Sequence, residues 1–376
     1  MKVKETDISI IGGGLLGMMT ALFLKETGQE ITIFDKSRFA TESSWAGGGI
    51  LTPLYPWRYA KSVNELAFRS QLLYPAIISK IKQLTGYDPE YINTGMLISA
   101  KDIDITAINW MENNRVDYHQ IVKSSAATFA EYEDYYLLPA ICQVRNPALA
   151  KSLSLALQEL SVKSHENTEV KKITPVSDEH FLLSTESGYY RSRKVVICAG
   201  AWSGKLSAEL GVSLPIKPIR GQMLLFKGPP KLIPSIILND GKYIIPRKDG
   251  HVLVGSTMED VGFDKSTTQS AYGELKAFVR EVCPELAKTD IVKHWSGLRP
   301  ASPDGIPFIS QHPKHAGLFV NSGHFRNGVV LAPASAELLR DLLMSNNPKI
   351  LPTPYEMVNS KKLKESREFV EAETLL

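Results

Sequence analysis

Three glycines at fixed spacing and one aspartate carry the first chemistry that can be read in this chain. Gly12, Gly14 and Gly17 frame the run Gly12-Gly13-Gly14-Leu15-Leu16-Gly17, a G-x-G-x-x-G pattern. Its first glycine makes a tight turn, its second lets a pyrophosphate approach the backbone, and its third lets a helix pack closely on a strand. Asp35 follows Gly12 by 23 residues, close to the spacing at which a carboxylate accepts hydrogen bonds from a ribose. There is no Ser-His-Asp arrangement, no H-E-x-x-H and no carboxylate pair with an obvious role. The eight histidines are scattered, and His324 has no second ligand at helical spacing, so no metal is expected.

The elements that must hold the glycine run are legible around it. The stretch "DISII" is apolar almost throughout, as a strand buried on both faces should be. "LLGMMTALFLKETG" is rich in helix formers and predicts a helix ending at Gly28. "QEITIFDK" predicts a second strand ending in Asp35. Strand, glycine turn, helix, strand and acid make a dinucleotide-binding βαβ unit, with the helix N-terminus facing the phosphates. That unit serves NAD and FAD alike. The same stretch fails as a membrane span, because it reaches ~20 residues only by counting glycines. It also lacks a small-x-small cleavage site for a signal peptide.

The 376 residues are 43% hydrophobic and 22% charged, ordinary for a globular protein and enough for two domains. A formal net charge of +3 without a Lys/Arg block argues against a nucleic-acid partner. Cys142, Cys198 and Cys283 are far apart and form no C-x-x-C pair; buried thiols in a reducing compartment are expected. The reading is a soluble, cytoplasmic protein.

Further segments enlarge the nucleotide unit. "ESSWAGGGILTPLYPWRY", 42–59, has no hydrophobic period and suggests backbone approaching a large flat ligand. "KVVICAGAWSGKL", 194–206, reads as an apolar strand running into small residues and a helix. "GLFVNSGHFRNGVVLAPASAELLRDLL", 317–343, reads as a strand, a turn from Gly323 to Gly328 and a helix whose N-terminus could stabilise an anion. "YINTGMLISA" reads as a strand, and "KYIIPRKDGHVLVGSTM" as a hairpin turning at Lys248-Asp249-Gly250. "EYEDYYLLP", 131–139, reads as an acidic, aromatic surface loop, and the tail 361–373 as a solvated helix or loose end.

Together these segments resemble the D-amino acid oxidase family of FAD enzymes and, within it, the glycine oxidases of thiamine biosynthesis. The likeness runs from Asp7 to about Leu343. Its most specific pieces are "SSWAGGGILTPLYPWRY", "YIIPRKDGHVLVGSTMED", "WSGLRPASPDGIPFI" and "GHFRNGVVLAPAS". The resemblance implies an α/β fold with a Rossmann-like FAD-binding domain of the D-amino acid oxidase and glutathione reductase type. That domain would take 1–85, 140–217 and 297–376. The pieces 86–139 and 218–296 would build a mainly antiparallel substrate-binding sheet roofing the flavin. FAD would be held by Gly12, Gly14, Leu15, Leu16 and Gly17, by Asp35 and Lys36, and by Ser43, Ser44, Ala46, Gly47, Gly48 and Gly49. Val170, Ala199, Gly200 and Trp202 would continue the site, closed by Arg299 and by His324, Phe325, Arg326, Asn327 and Gly328. "LRPASPDG" has no cysteine, and Cys283 precedes Arg299 by 16 residues, so the flavin is expected to be non-covalent. "SWAGGGIL" carries more glycine than the alanine-rich versions typical of the family, which bears on side-chain packing there.

The family's chemistry assigns the remaining roles. Arg299 would anchor the substrate carboxylate, since a guanidinium fork matches it with two parallel hydrogen bonds. Tyr243 would share that carboxylate, Arg326 would lie close to substrate or flavin, and Met258 would wall the pocket. Trp45 and Tyr55 are divided between pocket wall and packing. The absence of a general base suits hydride transfer from Cα to flavin N5, with the protein supplying orientation and electrostatics. Glycine, sarcosine, D-alanine or D-proline would give an imino acid, then a 2-oxo acid and ammonia, with oxygen reduced to hydrogen peroxide. The family leaves two other outcomes open: a dehydrogenase passing electrons to another acceptor, as in the cyanide-forming glycine dehydrogenases, and a flavoprotein partner with no free amino-acid substrate. Relatives form homo-oligomers, so one is expected here.

Overall fold

The computed structural model describes residues 3–121, 134–177 and 180–357. The tail 361–373 and the first three residues of 131–139 lie outside them. At the centre of the first sheet is the strand Lys4–Ile11, paired in parallel with Ile31–Phe34 on one side and Gly188–Ile197 on the other. Lys163–His165 and His315–Ser322 extend the parallel run outward. Phe308–His312 adds an antiparallel edge, and Val170–Ser177 and His180–Thr185 fold back on Gly188–Ile197 to complete eight strands.

Successive side chains of these strands enter different cores, because strand side chains alternate faces. Ile10, Ile33, Val196 and Phe319 pack with the helices Leu15–Lys25, Lys61–Thr85, Asn146–Glu159 and Gly328–Leu343. Their neighbours Ile11, Phe34, Ile197 and Val320 pack on the other side with Phe181, Leu210 and Ile216. The glycine-loop helix ends at Lys25 rather than at Gly28. The Thr27 hydroxyl donates to the Leu24 carbonyl at 2.7 Å, closing the last turn with a side chain.

The second sheet has eight strands in the order Asp290–Ala301, Lys217–Lys227, His251–Gly255, Lys242–Pro246, Ile236–Asn239, Met96–Ser99, Tyr135–Leu138 and His119–Ile121. All its pairings are antiparallel except that of Ile236–Asn239 with Met96–Ser99. Leu224, Ile244 and Val254 face the helix Gln269–Val282, whereas Met223, Tyr243 and Leu253 face the opposite way. The hairpin forms as read, with the Gly250 N–H donating to the Arg247 carbonyl at 3.1 Å. The stretch 131–139 departs from expectation. Tyr135–Leu138 is an internal strand with Tyr135 and Leu138 buried, because two β-forming tyrosines and two apolar leucines outweigh the acids before them. Among the described residues no helix is long and apolar enough to cross a membrane.

Candidate active site

A cavity of about 410 Å³ is lined from both sheets. At its nucleotide end, Gly12 adopts φ +111°, and a Cβ there would collide with the Cys198 carbonyl. Only glycine accepts both demands. The Asp35 carboxylate accepts from the Gly13 N–H at 2.7 Å and from the Ser37 N–H at 2.8 Å. Burial nevertheless raises its pKa above the ordinary carboxylate value. Ser44 Oγ accepts from the Leu15 N–H at 2.9 Å, joining the loop 42–59 to the first helical turn. Lys36 Nζ lies 3.5 Å from the Trp202 ring centroid, a cation–π contact in the cavity lining. The helix Gly328–Leu343 also starts at the cavity, where Asn327, Gly328 and Val329 line it.

The loop Gly47–Gly49 passes beneath the second sheet. A Cβ on Gly48 would come within 2.8 Å of Ile245 Cδ1 and 3.2 Å of Tyr243 Cε2. Its carbonyl accepts from Arg247 Nη2 at 2.7 Å, and Arg247 Nη1 also reaches Gln143 Oε1 at 2.5 Å and the Val144 carbonyl at 3.0 Å. This backbone cradle, the glycine turn and two helix N-termini in one cavity fit a flavin dinucleotide.

At the other end, Arg299 Nη2 donates to Ser256 Oγ at 2.6 Å and Nη1 to the Thr257 carbonyl at 3.1 Å. No carboxylate among the described residues pairs with Arg299. Burial pulls its pKa below the usual guanidinium value; Tyr243 opposes that shift and Arg326 adds to it. A half-buried cation without an anion is costly to hold, and an incoming acid could pair with it. The buried Tyr243 hydroxyl donates to Met223 Sδ at 3.4 Å, a weak acceptor that a carboxylate oxygen would outcompete. Arg326 Nη2 donates to the Gly241 carbonyl at 2.9 Å. His324 is buried with Nε2 2.9 Å from the Ser335 hydroxyl, and burial pushes its pKa down to about 3, so it is neutral.

Most of the expected site residues line this one cavity, from Gly12, Leu16 and Val170 to Gly200, Tyr243, Arg299 and Phe325. Gly17 stands behind it, packed on the Gly12 carbonyl. Met258 departs from its expected place. It is 60% exposed and outside the lining, because the strand ends at Gly255 and the next side chains to turn inward are Ser256 and Thr257. Trp45 packs edge-on against Trp295, and the Tyr55 hydroxyl donates to Asp102 at 2.7 Å; neither lines the cavity. Gly221, Met223 and Arg247 went unread. A glycine inside the strand Lys217–Lys227 was the available signal, since such a glycine marks close approach. A Cβ there would fall closer than 3.0 Å to Arg299 Nη1, Nη2 and Cζ.

The sequence pattern of the FAD dependent oxidoreductase (DAO) family matches residues 7–342. The chain belongs to that family. Within it, glycine oxidase of Pseudomonas aeruginosa is 41% identical, covering 93% of this chain and 97% of the relative. Glycine oxidase of Pseudomonas putida is also 41% identical, over the same shares of the two chains. The crystal structure of glycine oxidase from Geobacillus kaustophilus superposes with a TM-score of 0.89 at 26% identity, covering 95% of this chain and 99% of that one. The resemblance read in the sequence and the mixed α/β fold it implied are both borne out.

Proposed function

We propose that this FAD-dependent oxidoreductase is a glycine oxidase, deaminating glycine and other small amines such as sarcosine, D-alanine and D-proline. The observation that carries this reading is Arg299, half-buried, without a carboxylate partner among the described residues, and sharing a cavity with Tyr243 and the glycine loop. Bound FAD would supply the hydride acceptor and the route for electrons to oxygen. The chain supplies the rest. Arg299 would take the two carboxylate oxygens in its fork, and the Tyr243 hydroxyl would leave Met223 to donate to one of them. Arg326 would add a second positive charge beside the reacting carbon. The neutral His324 fixes the turn before the last helix and accepts no catalytic proton. The substrate amine would react in its neutral form, and the imino acid would hydrolyse to a 2-oxo acid (glyoxylate from glycine) and ammonia, with hydrogen peroxide formed alongside.

Cys198, the cysteine in the lining, supports non-covalent FAD: burial pushes its thiol up to about 12, which keeps it protonated and unreactive. We divide the chain into an FAD unit of 1–85, 140–217 and 297–376 and a substrate unit of 86–139 and 218–296. The sheet memberships of the described strands support this division, although the second-sheet strand Asp290–Ala301 runs past the boundary at 297. The test is anaerobic. The yellow protein is mixed in turn with glycine, sarcosine, D-alanine and D-proline, and oxygen is then admitted. Bleaching followed by fast recovery and peroxide is expected. Bleaching without fast recovery would show a dehydrogenase, and no bleaching by any of them would refute the reading.

A further inference from the structure

The direction in which Arg299 points is set by two acceptors, Ser256 Oγ and the Thr257 carbonyl. Both follow the end of the strand His251–Gly255, so regular ladder bonds no longer hold them. A buried polar cluster does so instead. Glu259 exchanges backbone hydrogen bonds with Arg220, each 2.9 Å. Its Oε2 accepts from Arg220 Nη2 at 2.6 Å, and its Oε1 accepts from Gln222 Nε2 at 2.9 Å and from Thr257 Oγ1 at 2.5 Å. Thr257 Oγ1 also accepts from the Gln222 N–H at 2.9 Å. Its hydroxyl is therefore fixed as donor and as acceptor at once, and the residue is only 6% exposed. Arg220, 3% exposed, meets Asp264 as well, with Nη1 at 2.5 Å.

Resting on the reading that Arg299 takes the substrate carboxylate, we propose that Thr257 is a positioning residue for it. The threonine hydroxyl, locked between the Glu259 carboxylate and the Gln222 N–H, sets the carbonyl that aims the Arg299 fork. The cluster also settles a charge conflict. Glu259 lies two residues from an Arg299 acceptor and would itself attract that guanidinium, but Arg220 already holds it. Arg299 is thus left with two neutral partners, and its cationic charge stays available to an incoming acid. Charge-assisted bonds of this kind depend on alignment, so a loosened Thr257 carbonyl weakens carboxylate binding while the flavin contacts stay in place. Because that bond is made in ground and transition states alike, the loss falls on KM rather than on kcat.

The test uses the FAD-loaded full chain and acetate, a carboxylate without an amine, whose binding is followed by the shift of the flavin absorption bands. Thr257→Val removes the hydroxyl at nearly constant shape. It is expected to weaken acetate and raise the KM for glycine about tenfold each, with kcat changing much less. Thr257→Ser restores the hydroxyl and is expected to recover both values to within about threefold of wild type. If Thr257→Val fails to fold, Glu259→Gln is the second variant, keeping the cluster's shape and expected to weaken acetate about threefold. Acetate binding and KM unchanged in the first foldable variant would overturn the proposal. Arg299→Ala separates the two ideas: if it binds acetate as wild type does, the carboxylate reading itself is wrong. If Arg299→Ala loses acetate and Thr257→Val does not, only the positioning role of Thr257 is wrong.

Discussion

Replacing Gly221 with alanine should damage substrate binding and leave the fold nearly intact. The added methyl group would lie closer than 3.0 Å to three guanidinium atoms of Arg299. Carbon and nitrogen atoms rest at about 3.5 Å, so one of the two must retreat by roughly 1 Å. The strand cannot move easily, since Gly221 pairs with Gly297 inside a long antiparallel ladder. The far end of Arg299 can. It would leave its 3.1 Å bond to the Thr257 carbonyl and its 2.6 Å bond to Ser256 Oγ, and with them the line along which it meets a carboxylate. Hydrogen bonds to a charged group are worth about 2 kcal/mol each. Misaligning one such bond to the substrate should therefore raise KM about 30-fold. The assay is KM for glycine by peroxide release, beside the melting temperature and the FAD content. KM within about twofold of wild type in a well-folded, yellow Gly221→Ala protein would refute the claim that Arg299 holds the substrate.

Other consequences follow from single contacts. Arg247→Met removes the donor held by the Gly48 carbonyl, so FAD affinity should fall about tenfold, measured by fluorescence of released flavin. Asp35→Ala strips the acceptors from the Gly13 and Ser37 N–H groups and should weaken FAD by a similar factor without changing KM in the loaded enzyme. Arg69 holds Glu337 through two 2.7 Å bonds between the helices Lys61–Thr85 and Gly328–Leu343. Arg69→Met would leave that buried carboxylate with only the long 3.9 Å contact to Lys349 and cost about 3 kcal/mol of stability, read by urea denaturation at neutral pH. Burial pushes the Glu337 pKa up, but the bonds from Arg69 outweigh it and the folded value lies below the ordinary one. A depressed carboxylate gives stability that is complete above its unfolded pKa of about 4.5 and lost as pH falls through the folded value. Below about pH 4.5 the wild-type urea midpoint should drop more steeply than that of Arg69→Met; parallel curves would contradict the assignment.

What was legible in the sequence is what local pattern encodes. The run from Asp7 to Asp35 announces strand, glycine turn, helix and strand because each signal lies within a few residues of the next. The segment 317–343 and the hairpin at Lys248-Asp249-Gly250 were readable for the same reason. The unread parts depend on pairings between distant residues. Arg247 meets Gln143 across 104 positions, and Arg69 meets Glu337 across 268, with no periodicity to betray either contact. Met258 was placed by motif alone, and the end of the strand at Gly255 turned it to solvent. Gly221 did leave a mark, a glycine within an apolar strand, but its meaning needs the arginine on the neighbouring strand.

The role of Arg299 is tested most directly by following flavin bleaching by glycine without oxygen, in wild-type and Arg299→Ala proteins loaded equally with FAD. Wild type is expected to bleach at a rate that saturates with glycine. Arg299→Ala should keep its FAD and require about 100-fold more glycine for the same rate. Equal dependence on glycine in the two proteins would contradict that role, and so would an Arg299→Ala protein that can no longer hold the flavin.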